Sequence, residues 1–220
     1  MKPLLILLLL TACIFPFLNC DIQADNKTVT ENETADSLKK TDSLNRILTF
    51  SKVDSAKSFC KANKFNTDFC FLLNMKIHSG LHRFYIYDFS TKTLIDSGLV
   101  SHGCGSKPWS MGYSAENPVF SNTPESHTSS LGKYKIGKRD YSQWGVGIKY
   151  YLHGLESSNS KAYDRQIVFH SWDAITDDAI YPIGSAEGWG CPAISDNFFR
   201  RVDEKLKASE KPVLLWMFNK

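Results

Sequence analysis

Gly188-Trp189-Gly190-Cys191-Pro192-Ala193, taken with Ile167-Val168-Phe169-His170 upstream, is the stretch on which the reading of the whole chain turns. A cysteine nucleophile needs a base to draw off its proton, donors for the oxyanion of a tetrahedral intermediate, and a means of aiming the base. His170 closes an apolar run of strand character and so projects from a rigid edge. Gly188 and Gly190 permit tight backbone geometry, which can turn successive N–H groups toward one point. Cys191 is therefore the candidate nucleophile and His170 the candidate base, with the backbone N–H groups of Trp189, Gly190 and Cys191 as candidate oxyanion donors. Pro192 has no N–H to give and disfavours the α conformation at Cys191. Each piece alone is equally at home in a structural turn, so the surrounding pattern has to decide.

Working outward, Arg83 to Phe89 and Thr93 to Ser101 alternate as short strands, and Met75 to His78 reads as another, with Ser79-Gly80 as the turn between them. Later strand candidates are Lys133–Ile136, Ile148–Leu152, Gln166–His170 and Val213–Met217. These predict a β-meander. Ser195 to Leu206 predicts one late helix, N-capped by Ser195 or Asp196, with Phe198, Phe199, Val202 and Leu206 on one face. From Leu44 to Leu73, apolar residues at three- and four-residue spacing predict one or two amphipathic helices ahead of the β region. The stretch from Ser106 to Ser130 has no convincing period, and loops of that length are usually functional or disordered.

At the N-terminus, Lys2 followed by an apolar run from Leu4 to Leu18 has the form of an export signal, shorter than a membrane span and interrupted by Pro16. Leu10-Thr11-Ala12-Cys13 resembles a lipobox, and Cys20, directly before the polar segment, is the rival site of lipidation. Plain secretion is the other alternative. In each case the mature chain is expected outside the cytoplasm, in the cell envelope or periplasm. Of the six cysteines, Cys60 and Cys70 are close enough in sequence to close a small loop, whereas a catalytic Cys191 must stay unpaired.

Composition narrows the function classes. The chain has 220 residues with 42% hydrophobic and 22% charged residues, a globular balance, and its net charge of +3 is too small to argue for nucleic acid. His102, His127 and His153 show no zinc-site spacing, so neither a metal nor a cofactor is expected.

His170, the 188–193 run, Phe120-Ser121-Asn122 and Ser129-Ser130-Leu131-Gly132-Lys133-Tyr134 together resemble the murein L,D-transpeptidase catalytic domain, in the branch whose cysteine is followed by Pro-Ala. The likeness spans about Lys76 to Lys220. It implies a mainly β sandwich or barrel, with a helical lead-in before it and a late helix within it. It also implies attack of Cys191 on the L-to-D peptide bond of a peptidoglycan stem peptide, giving a thioester acyl-enzyme. By the same resemblance the carbonyl of Ser171 holds the second nitrogen of His170, and Ser130, Gly132 and Tyr134 shape the substrate groove, with His102 as a further lining residue. Two departures stand out: Gly188 where the better-known branch has a hydroxyl residue, and Ala193 where it has an Arg. Carboxylate recognition would then fall to Lys133, Arg139 or Arg165.

Ser101-His102-Gly103-Cys104 spells the better-known branch's nucleophile string literally, yet His170 and the Gly132 motif both follow it, which is the wrong order for a nucleophile at Cys104. The resulting division is a signal peptide over 1–20, a polar tether over 21–45, a helical lead-in over 46–73 and the catalytic domain over 74–220. The expected activity is acyl transfer on stem peptides, with a water-using L,D-carboxypeptidase or a non-catalytic peptidoglycan-binding lipoprotein as alternatives. A lipid-anchored membrane contact is an option, and no protein partner is indicated.

Overall fold

Phe69-Cys70-Phe71-Leu72-Leu73 is apolar at every position because this strand is covered on both faces. In the computed structural model, which describes residues 43–220, it forms β1 (Phe69–Asn74). Phe71 and Leu73 point into one core with Phe84, Ile86, Leu215 and Met217, whereas Cys70 and Leu72 point into a second with Tyr85, Tyr87, Leu214 and Phe218. Alternation is lost when both faces are buried, and a short continuous apolar run then reads equally as strand or helix. The helical lead-in expected over 46–73 is corrected accordingly: residues 43–50 and Val53–Ala62 are helical, and the last part is β1. Helix is also reached by residue 43, before the polar tether was expected to end.

The other strands are β2 (Phe84–Asp88), β3 (Thr93–Gly98), β4 (Gly132–Tyr141), β5 (Ile148–Gly154), β6 (Val168–Ser171), β7 (Ala193–Ile194) and β8 (Leu214–Phe218). Residues 75–76, expected in a strand, form a turn after β1, where Asn74 Oδ1 accepts from the N–H of Lys76. One 8-stranded sheet runs β3-β2-β1-β8-β4-β5-β6-β7. Past β3 the chain continues to Ser101, whose N–H donates to the Ala193 carbonyl at 2.8 Å in β7. The two sheet edges therefore meet, and the sheet is a nearly closed barrel, as the mainly β expectation requires.

The late helix, Asp196–Lys207, starts at Ser195, whose Oγ accepts the N–H of Phe198. Phe198, Phe199, Val202 and Leu206 are buried in the first core, and each such side chain contributes roughly 1.5–3 kcal/mol when fully removed from water. The helix Val53–Ala62 packs Val53, Ala56 and Cys60 over the opposite face, in the second core. Cys60 and Cys70 are both buried there as free thiols. Burial pushes Cys60 up to about 12. None of the described helices is long and apolar enough to cross a membrane. The signal, Cys13, Cys20 and most of the tether lie outside the described residues.

Candidate active site

Strand register brings the two candidate residues to one place. His170 in β6 pairs with Lys149 of antiparallel β5 on one side and with Ala193 of parallel β7 on the other. Cys191 sits just before that short β7, so β6 carries the candidate base and the entry to β7 the candidate nucleophile. Nδ1 of His170 lies 2.8 Å from the Ser171 carbonyl. A carbonyl can only accept, so Nδ1 holds the ring proton and Nε2 is the basic nitrogen. Burial lowers the His170 pKa and Lys149 adds to the effect, against the opposing bond to Ser171.

The sulfur of Cys191 accepts the N–H of Val168 at 3.4 Å, and its thiol faces the Gln166 carbonyl at 3.8 Å. Burial raises the thiol pKa from the ordinary 9.0, partly offset by the Val168 N–H and by the charges of Arg165 and Lys149. Among the described residues the imidazole is not a hydrogen-bond partner of this sulfur. The backbone N–H groups of Trp189, Gly190 and Cys191 donate to no acceptor among the described residues, so all three are uncommitted.

The loop that carries Cys191 is clamped from beneath. Ser101 Oγ donates to the Cys191 carbonyl at 3.2 Å and accepts the Ala193 N–H at 2.9 Å. Ser129 Oγ donates to the Gly190 carbonyl at 3.0 Å, and the Gly188 N–H donates to the His102 carbonyl at 2.8 Å. Gly190 has φ +108, and a Cβ there would come 2.5 Å from the Thr128 carbonyl, so glycine is required. Gly188, in contrast, has no atom within 4 Å of an added Cβ.

Behind the loop lies a hydrogen-bond chain whose direction chemistry dictates. Arg83 can only donate, so at 2.8 Å its Nη2 makes His102 Nδ1 an acceptor and places the ring proton on Nε2. That Nε2 then donates to Ser114 Oγ at 2.9 Å, and Ser114 Oγ donates to Glu187 Oε1 at 2.8 Å. The Ser114 N–H reaches the same oxygen at 2.6 Å. Arg83, His102 and Glu187 are all fully buried, and burial beside Arg83 pulls His102 down to about 2, so it is neutral. Glu187 directly precedes Gly188, so this hydrogen-bond chain ends on the loop that carries Cys191.

Two grooves meet at Cys191 and His170. One is walled by Trp109, Trp144, Trp172 and Trp189 with Ser101 and Ala193. The other is polar, with Tyr141, Tyr151, Tyr163, Lys149 and Arg165, and shares Trp144 and Trp189 with the first. The residues expected to shape the groove stand behind it: His102, Ser130, Gly132 and Tyr134 are buried and line neither wall. Tyr134 Oη donates to the Ser130 carbonyl, and Ser130 Oγ takes a 2.6 Å bond from Arg165, so these residues brace the loop over 121–130. The three cations considered for carboxylate recognition are otherwise engaged. Lys133 pairs with Glu156 at 2.6 Å, Arg139 with Asp203 at 2.8 Å, and Arg165 spends its fork on Ser121, Ser126, Thr128 and Ser130. Lys149 is the groove cation that the sequence reading missed; only its pairing opposite His170 reveals it. Cys104 is buried, its sulfur 3.8 Å from the Gly105 carbonyl, and it lines neither groove.

A free thiol and a tautomer-fixed imidazole thus meet at the mouth of paired grooves, beside unused backbone donors. The family model of the L,D-transpeptidase catalytic domain matches residues 40–216, and the chain belongs to that family, whose domain is tied to peptidoglycan in the cell envelope. The match begins ahead of the helix Val53–Ala62, so that helix falls inside the matched region. No curated protein matches the chain in sequence. Among solved structures it is similar to Bd1075 from Bdellovibrio bacteriovorus, at 11% identity and TM-score 0.41 over 71% of this chain and 49% of that one. It is also similar to the helical cell shape determining protein Pgp2 from Campylobacter jejuni, at 12% identity and TM-score 0.39 over 62% and 43%. The chain thus spans less than half the length of either.

Proposed function

We propose that this protein transfers acyl groups from peptidoglycan stem peptides through a thioester on Cys191. The observation that carries this reading is the meeting of Cys191 and His170 at one groove junction, on a loop whose Trp189, Gly190 and Cys191 N–H groups are uncommitted. The thiol turns from Gln166 toward Nε2 of His170, which takes its proton as the sulfur attacks the scissile carbonyl. The N–H groups of Trp189, Gly190 and Cys191 receive the developing oxyanion, which is how such sites gain most of their rate. His170 then gives its proton to the leaving amine, and the thioester remains. Ser171 acts through its carbonyl, by fixing the tautomer. The anionic stem lies in the polar groove, where Lys149 faces the reacting pair.

Export by the N-terminal signal and lipid attachment at Cys13 or Cys20 belong to the same proposal, and the intact mass of the mature chain tests them. For the chemistry, the protein is exposed to a disaccharide-tetrapeptide and weighed intact. The wild type is expected to gain the acyl mass and Cys191→Ala to gain none. A normal adduct on Cys191→Ala would overturn the assignment.

A further inference from the structure

We infer that the exposed ring of Tyr163, with Tyr151 and His153 beside it, is a seat for an N-acetylated sugar, so that stems still attached to their glycan are taken in preference to released peptides. The inference rests on the thioester chemistry proposed above and adds what the donor must carry beyond its peptide.

β5 lays out a track leading away from the reaction centre. Its burial alternates, with Tyr150 and Leu152 in the first core and Lys149, Tyr151 and His153 on the outer face. Lys149 is level with His170. At about 3.4 Å per strand residue, Tyr151 stands ~7 Å and His153 ~14 Å further along. Tyr163, in the turns between β5 and β6, lies against both rings. Its centroid is 5.6 Å from that of Tyr151, with planes at 42°, and 5.1 Å from that of His153 at 11°. Tyr163 therefore falls between them, on the order of 10 Å along the track from His170.

Three features choose the occupant. The near-parallel His153 backs one face of Tyr163. Tyr151 is pinned in turn, its Oη donating to Asp140 Oδ2 at 3.1 Å and its ring 5.3 Å from Lys149 Nζ. Tyr163 nonetheless remains 53% exposed, which leaves a braced, flat apolar face in water. A pyranose offers that face a flat row of C–H groups of matching extent. Position is the second feature: Tyr151 and Tyr163 line the same polar groove as Cys191 and His170, so a sugar seated here belongs to a molecule whose other end reaches the sulfur. Asp164 and Gln166 line this groove as well, with exposed side chains suited to hydroxyl and acetamido groups at the sugar's edge. The third feature is span. In a disaccharide-tetrapeptide that loses its last residue, two residues and a lactyl link separate the acylated residue from the sugar. Those three units extend to ~10 Å at about 3.3–3.6 Å each, which is where Tyr163 stands.

The test compares kcat/KM for acylation by the disaccharide-tetrapeptide with that for the same tetrapeptide without sugar, followed by intact mass. In the wild type the sugar-linked donor is expected to be favoured at least tenfold, mostly through KM. Tyr163→Ala should bring the two donors within about threefold of each other, and Tyr163→Phe, which keeps the flat face, should retain the preference. Equal values in the wild type, or an undiminished preference in Tyr163→Ala, would sink the inference.

An NMR titration with triacetylchitotriose decides the seat separately. Shifts at Tyr151, His153 and Tyr163 that vanish in Tyr163→Ala support it, whereas shifts confined to other surfaces, or none, overturn it. If neither donor forms a thioester, the function proposed above fails, and this titration still decides by itself whether the face takes a sugar.

Discussion

At Cys191 and His170 burial acts on both titrating groups in the same sense, toward the neutral form: the thiol is raised and the imidazole lowered. A resting thiolate–imidazolium pair is therefore disfavoured, and the thiolate arises as the proton moves during attack. Alkylation of the free enzyme by iodoacetamide should accordingly keep rising past pH 9.0, the ordinary thiol value. A plateau below that pH would show a preformed thiolate. Because His170 loses its proton at lower pH than 6.5, the acidic limb of kcat/KM for acylation should lie below 6.5, as a pH–rate profile would read. Two glycines of the loop should also behave differently. Gly188→Ser meets open space and should fold normally, whereas Gly190→Ala forces a left-handed φ and a backbone collision. Its cost should be about 1–3 kcal/mol or more in urea unfolding. The directed chain through His102 gives the Ser-His-Gly-Cys string at 101–104 a structural role: it builds the floor under Gly188. Cys104→Ala should leave acylation of Cys191 intact, measured by intact mass.

Among the elements, the late helix was legible down to its cap because only one face is buried and its period survives in the sequence. β1 was not, because burial on both faces erased the alternation that separates strand from helix. At the site, the meeting of Cys191 and His170 at one groove could be anticipated from local context. Lys149 and the three further tryptophans could not, since cross-strand register and loop packing assemble them, and neither leaves a periodic trace. The helix and the β4–β5 hairpin are tied together by Asp203, which takes bonds from Arg139 at 2.8 Å and from Tyr150 Oη at 2.6 Å. Burial pushes the Asp203 pKa up, but these bonds outweigh it and hold it below 3.8. A depressed carboxylate contributes stability that is full above its unfolded value and lost as pH falls through its folded one. Asp203→Asn should cost about 1–3 kcal/mol at neutral pH. The gap from wild type should close below pH 3.8, as paired denaturation curves would show.

Across the whole molecule, the sheet serves two cores at once, with the late helix on one face and Val53–Ala62 on the other. The family match from residue 40 agrees with treating that first helix as part of the domain. Removing residues 43–62 should bare Cys70, Leu72, Tyr85 and Phe218, and so raise dye binding and lower the melting temperature. The strand order carries a further consequence. β8 lies between β1, paired in parallel, and β4, paired antiparallel. The seam that joins the two halves of the barrel is thus supplied by a strand that follows both of them in sequence. β1–β3 can pair with one another as a hairpin array, but no strand pairing joins them to β4 until Leu214–Phe218 is in place. Deleting this strand should therefore leave two unjoined half-sheets and abolish the cooperative unfolding transition, as denaturant melting would read.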